Sequence, residues 1–460
     1  MNELLRPIAE ALGPDARLHA VGGAVRDRLL GREGGDWDLA TALLPDEVLR
    51  RAKAAGLRAI PTGLQHGTVT LLSGELAVEV TTFRGDEGYS DGRRPDAVRL
   101  GVGLEEDLAR RDFTINALAL PVEAVGARDW RTRIVDPFGG LADLEARLIR
   151  AVGDAETRFR EDGLRPFRAC RFASQLGFRL DESTRGAIPR CLDVAAKVAA
   201  ERVQVELTKL LCGTAPATGL QLLADTGLLD LWTPELRPMI GCGQNAHHRF
   251  PVWEHSLAVV AAAPADPGLR WAALLHDVGK PGTRSVSEAG SVHFYGHEGH
   301  SLTLAEGILR RLKASHALLA DVLALVRHHG MHPDEAWSSA ACRRFLRRLD
   351  EDGLDLERWG AFRLADQLGK GFGDEPCRAN HEAVMLRLRA LRDARPPLRV
   401  ADLALQGRTL MDVAGRPGGP WLGRLQKHLL ESVIEDPALN TAAALEALAR
   451  RWLEGPEGRT

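Results

Sequence analysis

The strongest constraint on this chain is a change of hydrophobic period near Glu156. Across residues 17 to 150, short β-type runs at Arg17 to Val21, Thr68 to Leu72 and Ala77 to Phe83 alternate with Gly-rich turns. From FREDGLRPFRACRFASQLGF onward, apolar and charged residues recur at three-to-four spacing, with a first stop at Gly177. A second helical stretch, AERVQVELTKLLCG, is expected to stop at Gly213. The fold class that follows is an α+β head, a mixed or antiparallel sheet with helices, then an all-α remainder in which the strands stop. A chain of 460 residues exceeds what one hydrophobic core organises, so several domains are expected. Their boundaries fall at 1–150 for the head, 151–240 for a helical neck, 247–372 for a His-rich helical domain and 373–460 for a helical tail.

Composition narrows the function. Apolar content of 45% and charged content of 27% exclude a disordered chain. The N-terminal stretch MNELLRPIAEALGPD has no signal-like apolar run, and no later stretch approaches a membrane span, so a cytoplasmic protein without membrane contact is expected. The six cysteines form no C-x-x-C pair, which argues against a zinc ribbon or a disulfide framework. A net charge of −3 excludes indiscriminate coating of nucleic acid, so any RNA contact is a local patch of arginines.

The stretch LHAVGGAVRDRLLG, followed by GGDWDLAT, carries the densest chemistry. Gly22 and Gly23 fall at a strand end, where missing side chains let backbone N–H groups approach a triphosphate, and Arg26 follows on the next helix. Asp36 and Asp38 are spaced i, i+2; on a strand both carboxylates face one side and suit a hard cation such as Mg²⁺. Taken alone, the pair reads equally well as two acidic turn residues.

The ordered series GGAVRD, DxD, PTGLQHGTVT, EVTTFR, RRDFTINALA, DPFGG and EDGLRPFRACRF, spanning most of residues 18 to 212, resembles the class II tRNA nucleotidyltransferases, the CCA-adding enzymes. The resemblance implies template-independent addition of CMP and AMP, from CTP and ATP, to the 3′ end of tRNA, with Mg²⁺ as cofactor. It implies Asp36 and Asp38 as catalytic metal ligands and Glu79 as a third carboxylate. Gly22, Gly23, Arg26 and Arg111 become triphosphate contacts. Asp112 and Asn116 join the nucleotide-binding set, although for Asp112 a purely structural cap on a helix begun by FTINALA, with Asn116 one turn further along it, is an equally good reading.

Asp162, Arg165, Arg168 and Arg171 recur every three residues and are expected on one helix surface, although Gly163 and Pro166 interrupt that stretch. In the family resembled, the corresponding Asp and first Arg read the incoming base. An ionised Asp only accepts and an Arg only donates, so cytosine and adenine, each with an amino donor beside a ring-nitrogen acceptor, satisfy the pair. Uracil and guanine place a carbonyl oxygen against the carboxylate. Arg168 and Arg171 are expected to support this pocket or contact phosphate.

Poly(A) polymerases share the first motifs, but typically carry a Pro-Lys pair before the DxD strand, which is missing here. The segment GDEGYSDGRRPDAV, residues 85 to 98, resembles the flexible loop of enzymes able to add the terminal A, leaving full CCA addition and A addition alone both open.

Downstream, His255, His276-Asp277 and Asp366 resemble the metal ligands of HD phosphohydrolases. The resemblance implies a divalent transition metal and hydrolysis of phosphate esters, with His297, His300, His328 and His329 as added ligands or substrate contacts. His247, His316 and His332 are read as structural. A contrasting reading makes the chain chiefly an HD phosphohydrolase whose head only binds RNA. No obligate protein partner is indicated.

Overall fold

A computed structural model describes residues 5–32, 37–74, 76–87, 97–334 and 336–459. The chain forms two compact units, one of Met1–Arg237 with Arg311–Lys313, the other of Pro238–Arg310 with Ala314–Thr460.

The first unit opens with eight strands: β1 His19–Val21, β2 Asp38–Thr41, β3 Arg58–Gly63, β4 Thr68–Ser73, β5 Leu76–Thr82, β6 Arg84–Glu87, β7 Ala97–Leu100 and β8 Ala119–Pro121. Six form one sheet in the order β3-β4-β5-β2-β1-β8, while β6 and β7 pair separately. The sheet is mixed, because β2 and β5 run parallel while their other neighbours are antiparallel. Alternation drives it. Val78 and Val80 of β5 are buried, whereas Ala77 and Glu79 are exposed, as a two-residue period requires. The parallel register places Asp38 beside Glu79.

The neck begins with helix Ala155–Glu161, capped by the Asp154 side chain accepting from the Thr157 N–H. Helix Arg165–Leu176 follows, with Pro166 in its first turn, where no N–H is needed, and left-handed Gly177 closing it at φ 68°. Helix Ala200–Leu211 packs against it. Gly213 is required there by proximity rather than by conformation: a Cβ would lie 2.2 Å from the Ser174 hydroxyl oxygen. Strands do not stop at the head, contrary to the pattern read from sequence. Leu148–Ile149 pairs in parallel with Arg179–Leu180, and Ser285–Val286 pairs with Val292–His293 in the second unit. Two-residue strands are too short to leave a readable period.

In the second unit, helices Val252–Ala262, Pro267–Leu275, His316–His328 and Leu356–Gly369 pack around Trp253, Trp271, Trp359 and Phe362, all almost fully buried. Burying each such side chain contributes roughly 1.5–3 kcal/mol. The tail closes a separate apolar cluster that includes Leu410, Leu425, Val433, Leu445 and Trp452. All six cysteines are free. Among the described residues no helix is long and apolar enough to cross a membrane.

Candidate active sites

A cavity of about 500 Å³ in the first unit brings together most of the residues singled out above. Its wall includes Gly22, Gly23, Arg26, Asp38, Arg111, Asp112, Asn116, Asp162, Arg165, Arg168 and Arg171, joined by Arg84, Arg110 and Arg202. Eight arginines face three aspartates on this wall, so the cavity suits a polyanion. Asp36 lies outside the described residues, as do residues 88–96 of the 85–98 loop. Asp38 stands at the start of β2, exposed at the cavity wall. Glu79 is its register neighbour on β5 but does not reach the cavity wall.

Gly22 connects β1 to helix Gly23–Leu29 at φ 66°, and a Cβ there would lie 2.7 Å from Nη1 of Arg111. Arg111 is itself braced, donating to Asp107 and to the carbonyl of Asn116. A continuous hydrogen-bonded chain runs below the cavity. Arg168 donates to Oδ2 of Asp112, Asn116 donates to Oδ1 of Asp112 at 3.0 Å, and Arg26 donates to Oδ1 of Asn116 at 2.6 Å. Burial alone would raise the Asp112 carboxyl, but Arg168, Asn116 and Arg165 outweigh it and hold it at about 2.

Two expectations require correction. FTINALA does not begin an α-helix: Thr114–Asn116 is a single 3₁₀ turn with Phe113 at its N-cap, so Asp112 caps no helix. Its Oδ1 instead accepts from the N–H of Phe113 and from Asn116. Asp162 does not share a helix with Arg165, Arg168 and Arg171. It lies in extended backbone (φ −140°, ψ 107°) between two helices, because the second starts only at Arg165. Pro166 sets the break, since in a continuous helix its ring would meet the carbonyl of Asp162, and Gly163 lets the bend pack closely: a Cβ there would meet the carbonyl oxygen of Val194 at 2.4 Å.

The break positions Asp162 rather than displacing it. Its Oδ1 accepts from the N–H of Leu164 at 3.0 Å, and its Oδ2 from Nη2 of Arg202 at 3.1 Å. Arg165 is fixed by the carbonyls of Arg158 and Arg110 and by Glu161. Arg171 pairs with Glu206 and stacks its guanidinium 3.8 Å from the Phe172 ring centroid. Arg202 was missed in the sequence because its partner lies 40 residues away.

The second unit gathers a cluster of imidazoles and carboxylates. Nε2 of His255 lies 3.2 Å from Nε2 of His276 and 3.2 Å from Oδ1 of Asp366. Asp277 faces two ways: Oδ2 is 3.1 Å from His276, while Oδ1 is 3.6 Å from His297 and 3.7 Å from His329. Beside a peripheral set of His248, His255 and Asp277, two triplets lie at ligating distance, His255/His276/Asp366 and Asp277/His297/His329. The Nδ1 atoms of His276, His297 and His329 each sit against a backbone carbonyl, of Ala273, Phe294 and Val326. A carbonyl only accepts, so Nδ1 carries the proton in each and Nε2 offers a lone pair. His297 and His329 then oppose two lone pairs at 3.2 Å, an arrangement that a cation relieves.

Electrostatics fits the same description. Burial pushes His329 down to about 3, keeping it a neutral ligand. Burial opposes ionisation of Asp277 and Asp366, but His276 and Lys280 beside the first, and Lys370 and His255 beside the second, hold both well below the usual carboxylate range. Burial also opposes a charged His276, yet Asp277 and Asp366 raise its pKa, and a cation at Nε2 of His276 takes the place of that extra proton. The sequence-read ligands His255, His276, Asp277, Asp366 and His297 therefore come together. His328 does not: it pairs with Asp352 at 2.7 Å, and the next residue, His329, takes the place in the cluster. His300 is exposed and outside both triplets, its ring packed toward Gly282. His332, read as structural, lines the adjoining cavity of about 370 Å³ together with His248, Lys280 and Lys370.

Residues 18–150 match the family model "Poly A polymerase head domain", 177–240 match "Probable RNA and SrmB- binding site of polymerase A", and 252–368 match "HD domain". The CCA-adding enzyme of Geobacillus thermodenitrificans (strain NG80-2) is 35% identical over 455 residues, covering 97% of this chain and 96% of the relative. That of Geobacillus kaustophilus (strain HTA426) is 36% identical over 459 residues with the same coverage. The crystal structure of the Bacillus stearothermophilus CCA-adding enzyme in complex with CTP superposes with a TM-score of 0.71 at 30% identity, covering 100% of both chains. Similarity of this extent, along nearly the whole of both molecules, places the chain in the family of CCA-adding enzymes.

Proposed function

We propose that the first unit adds CMP and AMP, without a template, to the 3′ end of tRNA. The observation that carries this reading is the shared cavity: Asp38 of the sheet and the Asp162 and Arg165 pair of the neck line one space. Asp36 and Asp38 provide carboxylate oxygens for Mg²⁺, with Glu79 beside Asp38 in register. Mg²⁺ held by these carboxylates would offset the negative charge that develops during the transfer.

This chain's residues do the rest. The Gly22–Gly23 turn, Arg26 and Arg111 receive the triphosphate, and the Asp112–Asn116 chain below keeps Arg26 and Arg168 in place. Asp162 accepts the exocyclic amino hydrogen of cytosine or adenine, while Arg165 donates to the ring nitrogen. The 3′ hydroxyl oxygen of tRNA forms a bond to the α-phosphorus, the α–β phosphoanhydride bond breaks, and pyrophosphate leaves with its electron pair. The hydroxyl proton passes to solvent.

Asp38→Ala, supplied with tRNAs lacking A, CA or CCA and with CTP and ATP singly and together, tests the assignment by sequencing of product ends. Normal incorporation by a folded variant rejects it. The parent's product ends separate full CCA addition from A addition alone and from poly(A) synthesis; the full-length relatives named as CCA-adding enzymes favour the first.

The HD domain is proposed to be a phosphohydrolase, with His255, His276, Asp277 and Asp366 holding one divalent transition metal and His297, His329 and Asp277 a second. A metal held by these residues would lower the pKa of a water for attack on the ester. A water oxygen bonds to phosphorus, the ester P–O bond breaks, and the water proton ends on the leaving alkoxide. Lys280 and Lys370 on the cavity wall attract the phosphate. A His276→Ala variant assayed beside the parent with several divalent metals tests this; equal rates reject it.

A further inference from the structure

We propose that the HD-domain cavity recognises the base of a nucleoside phosphate by stacking it on Tyr295. The proposal rests on the phosphohydrolase reading of that cavity and adds a substrate class to it.

Tyr295 is 78% exposed, the most exposed of the large apolar and aromatic side chains among the described residues. An aromatic ring this exposed leaves apolar surface in water, and here the ring is also oriented. His293 ends the Val292–His293 strand and Tyr295 lies in the turn that follows it, with Phe294 buried between them. Their rings stack with an interplanar angle of 8° and centroids 5.2 Å apart. His293 is in turn held by strand pairing with Ser285. One face of the tyrosine is thus backed by a fixed imidazole and the other is available to a planar ligand.

The platform belongs to the same cavity as the metal cluster. His293 and Tyr295 line it together with Lys280 and Lys370. Two residues beyond Tyr295, His297 presents Nε2 toward Asp277. The short link of Gly296 therefore fixes the ring relative to the cluster. A flat aromatic group on Tyr295, with a phosphate between the lysines and the histidines, describes a nucleotide better than a sugar phosphate or a small phosphomonoester. Stacking reads no base edge, so the site accepts different bases.

The test uses the full metal-loaded chain with adenosine 5′-monophosphate, adenosine 2′,3′-cyclic monophosphate and ribose 5-phosphate as the base-free control. Tyr295→Ala is expected to lower kcat/KM about tenfold for the two nucleotides, mainly through KM, and to leave ribose 5-phosphate unchanged, while Tyr295→Phe stays near the parent. An equal loss on ribose 5-phosphate, or no loss on the nucleotides, overturns the platform while leaving the hydrolase intact. If the parent hydrolyses none of the three, calorimetric titration with adenosine 5′-monophosphate decides: Tyr295-dependent binding keeps the platform and rejects the hydrolase, and binding indifferent to Tyr295→Ala overturns the platform. A 3′-phosphorylated RNA hexamer assayed alongside distinguishes the source. A lower KM for the hexamer, still dependent on Tyr295, assigns the terminal nucleotide of an RNA, and a higher one assigns a free nucleotide.

Discussion

Arg168 directs two nitrogens at one oxygen of Asp112, Nε at 2.7 Å and Nη2 at 2.6 Å, and so joins the neck helix to the last residue of the RRD motif. The carboxylate is buried, and its ionised form survives because the guanidinium and Asn116 outweigh the cost of burial. A carboxyl whose folded value is about 2, against an ordinary 3.8, stabilises the fold above the unfolded value, and that contribution is lost as pH falls through the folded one. The difference corresponds to about 2 kcal/mol. Asp112→Asn is therefore expected to be destabilised at pH 7 by about 3 kcal/mol, since Arg168 loses its charge partner. The gap from the parent narrows as pH drops from 4 toward 2. Calorimetric unfolding of both proteins across that range checks it, and a constant gap contradicts it.

Gly163 lets the bend between the two neck helices pack closely. A methyl group there would press on the backbone of Val194, with the carbonyl oxygen at 2.4 Å and its carbon at 2.7 Å. Main chain yields less readily than a flexible side chain, so Asp162 must shift instead. Gly163→Ala is expected to lower stability by about 2 kcal/mol and to cost at least ~10-fold in CTP and ATP incorporation, because misplaced polar groups no longer match the base. Discrimination against UTP and GTP falls with it. Single-nucleotide addition assays with each of the four triphosphates read out both effects, and unaltered selectivity would refute the placement.

What the sequence disclosed follows from what each interaction depends on. The strands β1, β4 and β5 and the neck helices were legible because their period is local, whereas Arg58–Gly63, Ala119–Pro121 and helix Pro45–Ala54 were not; the GGAVRD, RRD and EDxxR motifs were legible because their spacing is local. Asp162 was found as a residue but assigned the wrong backbone, since an i, i+3 pattern takes no account of the Pro166 ring and cannot reveal that Val194 forbids a side chain at Gly163. Arg202 and the Tyr295 platform escaped because each acquires its meaning from distant chain, Arg202 from Asp162 and Tyr295 from the hairpin that holds His293, while His329 was named among four added histidines and only Asp277 singles it out. His328 and His329 are adjacent in sequence, and only the helix phase decides that the first meets Asp352 and the second the cluster.

Arg202 reaches both oxygens of Asp162, Oδ2 at 3.1 Å and Oδ1 at 3.5 Å, and the Leu164 N–H also holds Oδ1, so the carboxylate is oriented and Oδ2 retains a lone pair for a base. Arg202→Gln is expected to raise KM for both CTP and ATP about tenfold with a smaller effect on kcat, and Arg202→Lys to restore part of the loss. Steady-state kinetics with a tRNA lacking its last nucleotides gives the split. A pure kcat effect, or none, would place Arg202 outside base recognition.

Asp277 aims its two oxygens at different histidine pairs, and this predicts how metal should be lost. If the two triplets each hold a cation, His297→Ala and His329→Ala remove one of the two without disturbing His255, His276 and Asp366. Asp277→Ala, which withdraws a donor from both sides, should empty the site. Elemental analysis of the dialysed chain is expected to return about two equivalents for the parent, about one for either histidine variant and close to none for Asp277→Ala. Since nucleotide addition uses a cavity in the other compact unit, all three variants keep incorporating CMP and AMP. One equivalent in the parent, unchanged by His329→Ala, would reduce the cluster to a single ion and leave the opposed nitrogens of His297 and His329 to share a proton instead.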